Sequence, residues 1–508
     1  LFKTMSYLFF LSISYFSSTF VILVAIQGYG RLINKFLPAN PDFHNFYNYF
    51  FILGLIFVGT FSVIFNFLFP INDLYSLIVI LFGFLVYSYF AFIESKNLVN
   101  NIFNIFLICI ISFLISFFAG INDDYVYHYP TINNFKNLNL FEIEHSRNIS
   151  YNSHWLFLNS VFSLKSFKPS LFILTSLIYS ITVFDLYKNF NKYLVNKFYF
   201  IAFYILFNLI FLIGVLNIYK DFGTDIPGVL ISIYILVFCV SFIYKKGQNF
   251  NFNYIVVILL FSNFAIMVKL TNALIYLYLF ILVFNLKFKN LINIKIIIVF
   301  IPLSLWILQN INISGCLIWP ISPLCFYSTE LAKHELYLIE SFAKGSIETN
   351  INVNGLSWIS IWLTTHSIKL IEIYATFVIF LIIPILYYNI KYPKKVIYNL
   401  FSKSTIKSNL KFFYLSIIIF ISNLIWFFYS PSYRFGIFYN LNFFIILLMP
   451  FWIKIYKIDL SYIKKCAKIL LIIATIFFSY ENFNRYEWYL KKYNNVWPPF
   501  VNDKLILK

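Results

Sequence analysis

Charge is scarce in this chain. Asp, Glu, Lys and Arg make up 11% of its 508 residues, where a soluble domain carries about 25%. So few charges would leave a soluble surface with large exposed apolar patches. A soluble enzyme and a basic nucleic-acid-binding domain are thereby excluded. Strict alternation of apolar and polar residues is also missing, which excludes an outer-membrane barrel. Arginine is rarer still, with Arg31, Arg147, Arg434 and Arg485 alone among 38 basic residues. Lys cannot supply the rigid bidentate fork of a guanidinium, so each of these arginines carries more information than any Lys. The five cysteines lack metal-site spacing. Cys109 and Cys239 lie in apolar runs. Cys316 and Cys325 share one loop and are either disulfide-bonded, if that loop faces an oxidising compartment, or two unpaired thiols. No GxxxxGK[ST] loop, dinucleotide loop or long soluble insert occurs, so a nucleotide-hydrolysing transporter is not expected. The first apolar run is too long for a cleavable signal peptide and has no small-residue cleavage site; Met5 is a candidate start.

What the chain has is apolar length, being 61% hydrophobic and 23% aromatic. Runs of roughly 20 apolar residues recur from end to end, the mark of a polytopic helical membrane protein. The expected fold is all-α, a bundle of about fourteen spans. They fall near 5–29, 48–69, 74–93, 102–119, 170–187, 198–219, 226–244, 254–268, 270–286, 296–311, 370–390, 412–429, 437–453 and 467–480. The eighth and ninth meet at Lys269 and are either a tight hairpin or a broken helix. The formal charge of +19 then sorts by side. Alternating through the spans groups 22 Lys and Arg on one side and 15 of the 19 acidic residues on the other. The positive-inside rule makes the Lys-rich side cytoplasmic. The protein is therefore expected in the inner (plasma) membrane, with its acidic loops on the external, periplasmic face.

Two external segments are long, 120–169 and 312–369, and hold His128, His145, His154, His334 and His366. Acids and imidazoles gathered on one face of a bundle are what a membrane-surface active site needs. Asp123 and Asp124 follow an apolar run directly. A carboxylate there acts as general base on a hydroxyl or holds a divalent cation such as Mg or Mn, with Asp124 and Asp221 as candidate ligands. Alternatively the pair caps the next helix. Tyr127 and His128 lie one turn further on. Two short amphipathic segments, 130–138 and 151–163, are expected along the interface, with Glu144, His145 and Arg147 between them. Arg147 suits phosphate recognition or a salt bridge to Glu142 or Glu144. A second acidic turn carries Asp221 and Asp225, the latter alternatively a simple helix cap. Lys269 faces a cavity or snorkels to the interface. Arg434, braced in Ser430-Pro431-Ser432-Tyr433-Arg434-Phe435-Gly436, is placed to bind a lipid headgroup or a leaving phosphate. The stretch 314–323 is Pro-rigid and a candidate re-entrant turn, and 328–343 reads as a solvated surface helix without a catalytic role.

The sequence D-D-Y-V-Y-H at 123–128, His145-Ser146-Arg147 leading into Asn152-Ser153-His154-Trp155, Gly315–Pro320 and Ser430–Gly436 together resemble a bacterial family of polytopic membrane proteins of uncharacterised function. That family in turn is similar to the GT-C superfamily of integral membrane glycosyltransferases. The resemblance implies an acidic motif in the first large external loop and polyprenyl-phosphate-linked sugar donors. Asp123 or Asp124 would be the acidic residue of the catalytic centre, with His128 beside it and Tyr127 and His145 in support. Asp221 and Asp225 would form the second acidic loop, while Lys269, Arg434 and Arg147 would hold the donor phosphate. Three N-terminal spans preceding the motif depart from the superfamily pattern. The implied layout is N-terminal helices 1–101, a core 102–311, an external loop region 312–369 and C-terminal helices with an external tail 370–508. The implied reaction is sugar transfer to an external glycan or lipid acceptor in cell-envelope or surface polysaccharide synthesis, with no nucleic acid or soluble nucleotide as partner. Flipping or transport of a lipid-linked oligosaccharide is the rival, and an O-antigen polymerase or ligase activity the third reading. Transport would need functional charges inside the spans, for which Asp185, Lys269 and Glu372 are the candidates.

Overall fold

A computed structural model describes residues 2–37, 46–93, 98–116, 127–143, 147–214, 222–244, 252–283, 294–326, 329–345, 356–371, 374, 376–391, 410–429, 431–458 and 460–493. The described residues are almost entirely helical. In chain order the helices are α1 (Phe2–Phe36), α2 (Tyr47–Leu68), α3 (Asp73–Ile93), α4 (Leu98–Ser116), α5 (Tyr129–Asn137), α6 (Arg147–Ser150), α7 (His154–Phe162), α8 (Ile173–Val195), α9 (Tyr199–Gly214), α10 (Asp225–Tyr244), α11 (Phe252–Val268), α12 (Tyr276–Val283), α13 (Ile294–Ser314), α14 (Thr329–Lys344), α15 (Trp358–Leu370), α16 (Thr376–Lys391), α17 (Leu410–Tyr429), α18 (Tyr433–Ile458) and α19 (Leu460–Tyr493). Among the described residues no strand forms beyond two isolated bridges.

In lipid every backbone N–H and C=O must be satisfied within its own segment, so apolar runs become helices. Eight helices among the described residues are long and apolar enough to cross a membrane: α1, α2, α3, α4, α8, α10, α13 and α19. Five further apolar stretches, in α9, α11, Leu270–Leu279, α17 and α18, span 10–17 residues each. The protein is thus a multi-pass helical membrane protein.

Burial separates inner from outer helices. Within their apolar windows α10 is 94% buried and α8 83%, whereas α3 is 28% and α19 24% buried. A helix that is hydrophobic all round and enclosed by protein is a core helix; α3 turns Ile78, Leu81, Phe82 and Leu85 outward, as a lipid-facing helix does. Close approach between α1 and α2 depends on glycine. A Cβ on Gly30 would stand 1.8 Å from the Phe50 carbonyl oxygen, and one on Gly54 would stand 2.0 Å from that of Ile26. Backbones meet there because small residues allow it.

Lys269 resolves the meeting of the eighth and ninth apolar runs. α11 ends at Val268, and Lys269 is extended (φ −155°, ψ 122°) before a 3-10 turn, Leu270–Ile275. The Asn272 amide then donates back to the Ala265 carbonyl (2.9 Å), and the Tyr276 hydroxyl donates to Asn263. The chain therefore doubles back along α11, a tight hairpin rather than one broken helix.

The short segments after α4 depart from the interfacial expectation in one respect. α5 is amphipathic, with Ile132, Phe135 and Lys136 buried and Pro130 and Asn137 exposed. In α7, by contrast, every residue from His154 to Phe162 is buried. Two of its polar groups tolerate this because they bond locally: Asn159 donates to the Trp155 carbonyl (3.2 Å) and Ser160 to that of Phe157 (2.6 Å). The helix at 329–344 is only partly solvated. Glu330 and Lys333 pair on its exposed side, whereas Glu335 is buried and Ala332 packs on Cys316 and Trp319. Cys316 and Cys325 are joined by a disulfide that closes this small loop.

Candidate functional site

The Asn152-Ser153-His154-Trp155 segment organises one face of the bundle. Asn152 takes a left-handed conformation (φ 37°), which Asn tolerates better than most residues. Its amide donates to the Asn310 side-chain oxygen (2.8 Å), and its carbonyl accepts from the Trp306 indole (2.8 Å), tying the segment to α13. Ser153 donates to the Val268 carbonyl (2.7 Å). That carbonyl is one of the four that the end of α11 leaves without an intrahelical partner. His154 lies over α2, where a Cβ on Gly59 would stand 2.2 Å from its Nε2. Trp155 donates to the Thr175 hydroxyl of α8 (3.1 Å). Four consecutive residues thereby dock on four different helices.

Holding Val268 also positions Lys269. The Lys269 ammonium pairs with the carboxylate of Asp225, the first residue of α10. It also lies 4.3 Å from the Phe435 ring centroid, a cation–π contact. Phe435 directly follows Arg434 in the first turn of α18. Gly228 makes this convergence possible, since a Cβ there would stand 2.6 Å from the Asn272 amide and 3.5 Å from the Lys269 Cβ. The turn before α18 is braced from two sides. Trp362 donates to the Pro431 carbonyl (2.8 Å), Trp426 donates to that of Ser432 (3.0 Å), and Gly436 lies against the Trp426 ring. Tyr439 of α18 donates to the Thr271 carbonyl (2.8 Å), closing the same junction.

Tyr127 and His128 border this centre. The Tyr127 ring meets those of His128 (4.8 Å between centroids) and Tyr151 (6.4 Å). Burial first, then the Tyr151 phenol and the Asp225 carboxylate, push the Tyr127 hydroxyl above its ordinary range, so it remains a proton donor. His128 is buried against Phe222, 5.8 Å between ring centroids, three residues before Asp225.

Among the expected site residues, the structure gathers Tyr127, His128, Asp225 and Lys269 and brings the start of α18 beside them. Lys269 is paired rather than snorkelling, and Asp225 does more than cap its helix. Arg434 and Arg147 are placed by their backbones, in the first turns of α18 and α6. Asp123, Asp124, His145 and Asp221 lie outside the described residues, as does Glu144. Glu142 accepts the backbone N–H of Asn139 (3.1 Å), a local turn contact. Among the described residues no group of three or more His, Cys, Asp or Glu is arranged to hold a metal. Ser153, Gly228, Asn272 and Phe435 were not anticipated in these roles. Their signals were faint: a hydroxyl inside a motif, a Gly after Pro227, an amide after a lone Lys, and a Phe beside an Arg.

An ion pair between a buried Lys and a partly exposed Asp lies nearby on the same face. Lys136 of α5 bonds Asp73 at the start of α3 (2.9 Å), and Asp73 also accepts the backbone N–H of Lys165 (3.0 Å). Burial pulls the Lys136 ammonium below its ordinary range, and Asp73 opposes that pull. This pair fastens α3, α5 and the loop after α7 together.

These features define a polytopic helical membrane protein with a polar centre at the helix ends of one face. Residues 13–441 match the family described as Domain of unknown function (DUF8201), and the chain belongs to that family. Comparison with curated proteins and with solved structures gives no match.

Proposed function

We propose that this protein is an integral membrane glycosyltransferase of GT-C type. In this reading it transfers a sugar from a polyprenyl-phosphate-linked donor to an external glycan or lipid acceptor in envelope or surface polysaccharide synthesis. The observation that carries the proposal is the convergence of Asp225 of α10, Lys269 of the hairpin turn after α11 and the Arg434-Phe435 turn of α18 at one face of the bundle. Such a centre supplies what phosphate departure demands. A fixed cation beside a guanidinium-bearing turn stabilises the charge that develops on the leaving polyprenyl phosphate. Asp123 and Asp124, three to five residues before Tyr127 and His128, would supply the base for the acceptor hydroxyl or, with Asp221, hold a divalent cation.

The same reading makes the five shorter apolar stretches and α16 spans as well, fourteen in all, and puts this face outside the inner membrane. The Cys316–Cys325 disulfide supports that sidedness, since structural disulfides persist in oxidising compartments. Transport is disfavoured by Asp185. Its carboxylate accepts the backbone N–H groups of Tyr47 (3.0 Å) and Asn48 (2.8 Å) and the Tyr234 hydroxyl (2.9 Å). It therefore caps α2 as a structural group instead of serving as a mobile intramembrane charge.

The test reconstitutes the full chain with a panel of polyprenyl-phosphate- and pyrophosphate-linked sugars and measures transfer. The D123N/D124N double variant should insert normally and lose transfer. Full activity in that variant would overturn the proposal.

A further inference from the structure

A second feature lies at the opposite end of the N-terminal helices and is independent of the transferase reading. α3 and α4 both pack on α1, and a groove of about 330 Å³ runs between them. That volume is typical of a site for a small amphiphile. Its walls are apolar, formed by Phe20, Phe84 and Ile102 among others, and Arg31, Ser88 and Asn101 also line it. The neighbouring lipid-facing surface of α3 and α4 exposes Leu85, Phe92, Phe103 and Phe106, so the groove lies beside lipid.

Arg31 sets the chemistry of the groove. Its guanidinium lies between the rings of Phe50 (5.4 Å) and Tyr87 (5.2 Å), which fixes the plane of the fork. One turn further along α1, the Lys35 ammonium lies 4.7 Å from the Phe90 ring centroid. The Tyr47 hydroxyl donates to the Asn101 oxygen (3.2 Å), which orients that amide. A cation held in plane at one end of an apolar groove that borders lipid matches an acyl chain with a phosphate at its head.

We propose that this groove binds an anionic phospholipid, its phosphate on Arg31 and one acyl chain between α3 and α4. Lys35 adds attraction for the negative headgroup. The bound lipid fills the gap between two helices that each rest on α1, and so ties the N-terminal helices together.

The experiment uses the full chain in nanodiscs of phosphatidylcholine, with or without phosphatidylglycerol. Thermal unfolding and the lipid retained on detergent extraction, identified by mass spectrometry, are both measured. Phosphatidylglycerol should raise the melting temperature and remain bound. Arg31→Gln should weaken retention roughly tenfold or more, the loss of a charge-assisted contact. Ile102→Trp, which fills the groove with Arg31 intact, should abolish the effect as well and covers the case in which the Arg31 variant does not fold. Equal protection by phosphatidylcholine would overturn the proposal, as would undiminished retention in Ile102→Trp. Protection by polyprenyl phosphate with none from phosphatidylglycerol would overturn it too, assigning the groove to a carrier lipid instead.

Discussion

Asp225 and Lys269 form an ion pair across a helix start and a hairpin turn, 44 residues apart in the chain. Lys269 is largely buried, with its side chain 13% exposed, while Asp225 is 36% exposed. The pair therefore matters more for the placement of charge than for stability, because water screens the exposed carboxylate. If the protein is the transferase proposed above, Lys269→Met should lower sugar transfer by about 100-fold or more, the scale seen when one donor to a developing charge is removed. Lys269→Arg should keep part of the activity. The melting temperature should fall by only a few degrees in either variant. A Lys269→Met enzyme with unchanged turnover would separate this pair from the chemistry.

Much of this arrangement was legible in one dimension and little of it in three. The apolar runs betray the helices because lipid leaves the backbone no other way to satisfy itself. Asp225 and Lys269 stood out because charge beside an apolar run is costly. Their partnership was hidden, since α10 and α11 are hydrophobic on all sides and carry no stripe to show which face meets which. α7 misled for a related reason. Its Asn159 and Ser160 suggest a wet face, yet both bond to their own helix and go into the core. Gly228 and Gly59 were invisible because a close approach is a property of two segments, and the chain order shows only one.

Gly59 gives a direct test of the α2–α7 contact. A methyl group there would stand 2.2 Å from His154 Nε2 and 3.3 Å from a Leu158 methyl group. His154 is enclosed, so the ring cannot swing away freely. Gly59→Ala should destabilise the protein by about 1–3 kcal/mol, the range for overpacking a close-packed core. Adding His154→Ala opens the space, and the double variant should be more stable than the sum of the two single changes predicts. Strict additivity in detergent unfolding would show that the two residues do not touch.

Asp73 and Lys136 invite a different pairwise comparison. Lys136 is enclosed, 3% exposed, and Asp73 is its bonded acid. Asp73→Asn strands the ammonium in the interior, with an expected loss of about 3–5 kcal/mol. Lys136→Met should cost less, because Asp73 is partly exposed and keeps the Lys165 backbone N–H. The double replacement should recover most of the loss from Asp73→Asn. Equal damage from all three variants, by thermal unfolding, would show that shape rather than charge holds α3 to α5.

His154 should also make stability depend on pH. Complete burial of the imidazole lowers its pKa to about 3, against an ordinary value of 6.5. The folded protein therefore keeps His154 neutral over a window in which the unfolded chain takes up a proton. Above about pH 6.5 both states are neutral and this residue contributes no slope. Below it the unfolded state binds more protons, so stability falls with decreasing pH, by at most about 1.4 kcal/mol per pH unit for one group, until the folded state also protonates. Carboxylates titrate in the lower part of the same window, so the informative quantity is a difference. Unfolding curves of the wild type and His154→Phe, recorded from about pH 4 to pH 8, should run parallel above pH 6.5 and converge below it as the wild type loses ground. Parallel curves throughout would mean that the imidazole takes up its proton at the same pH in the folded and unfolded states.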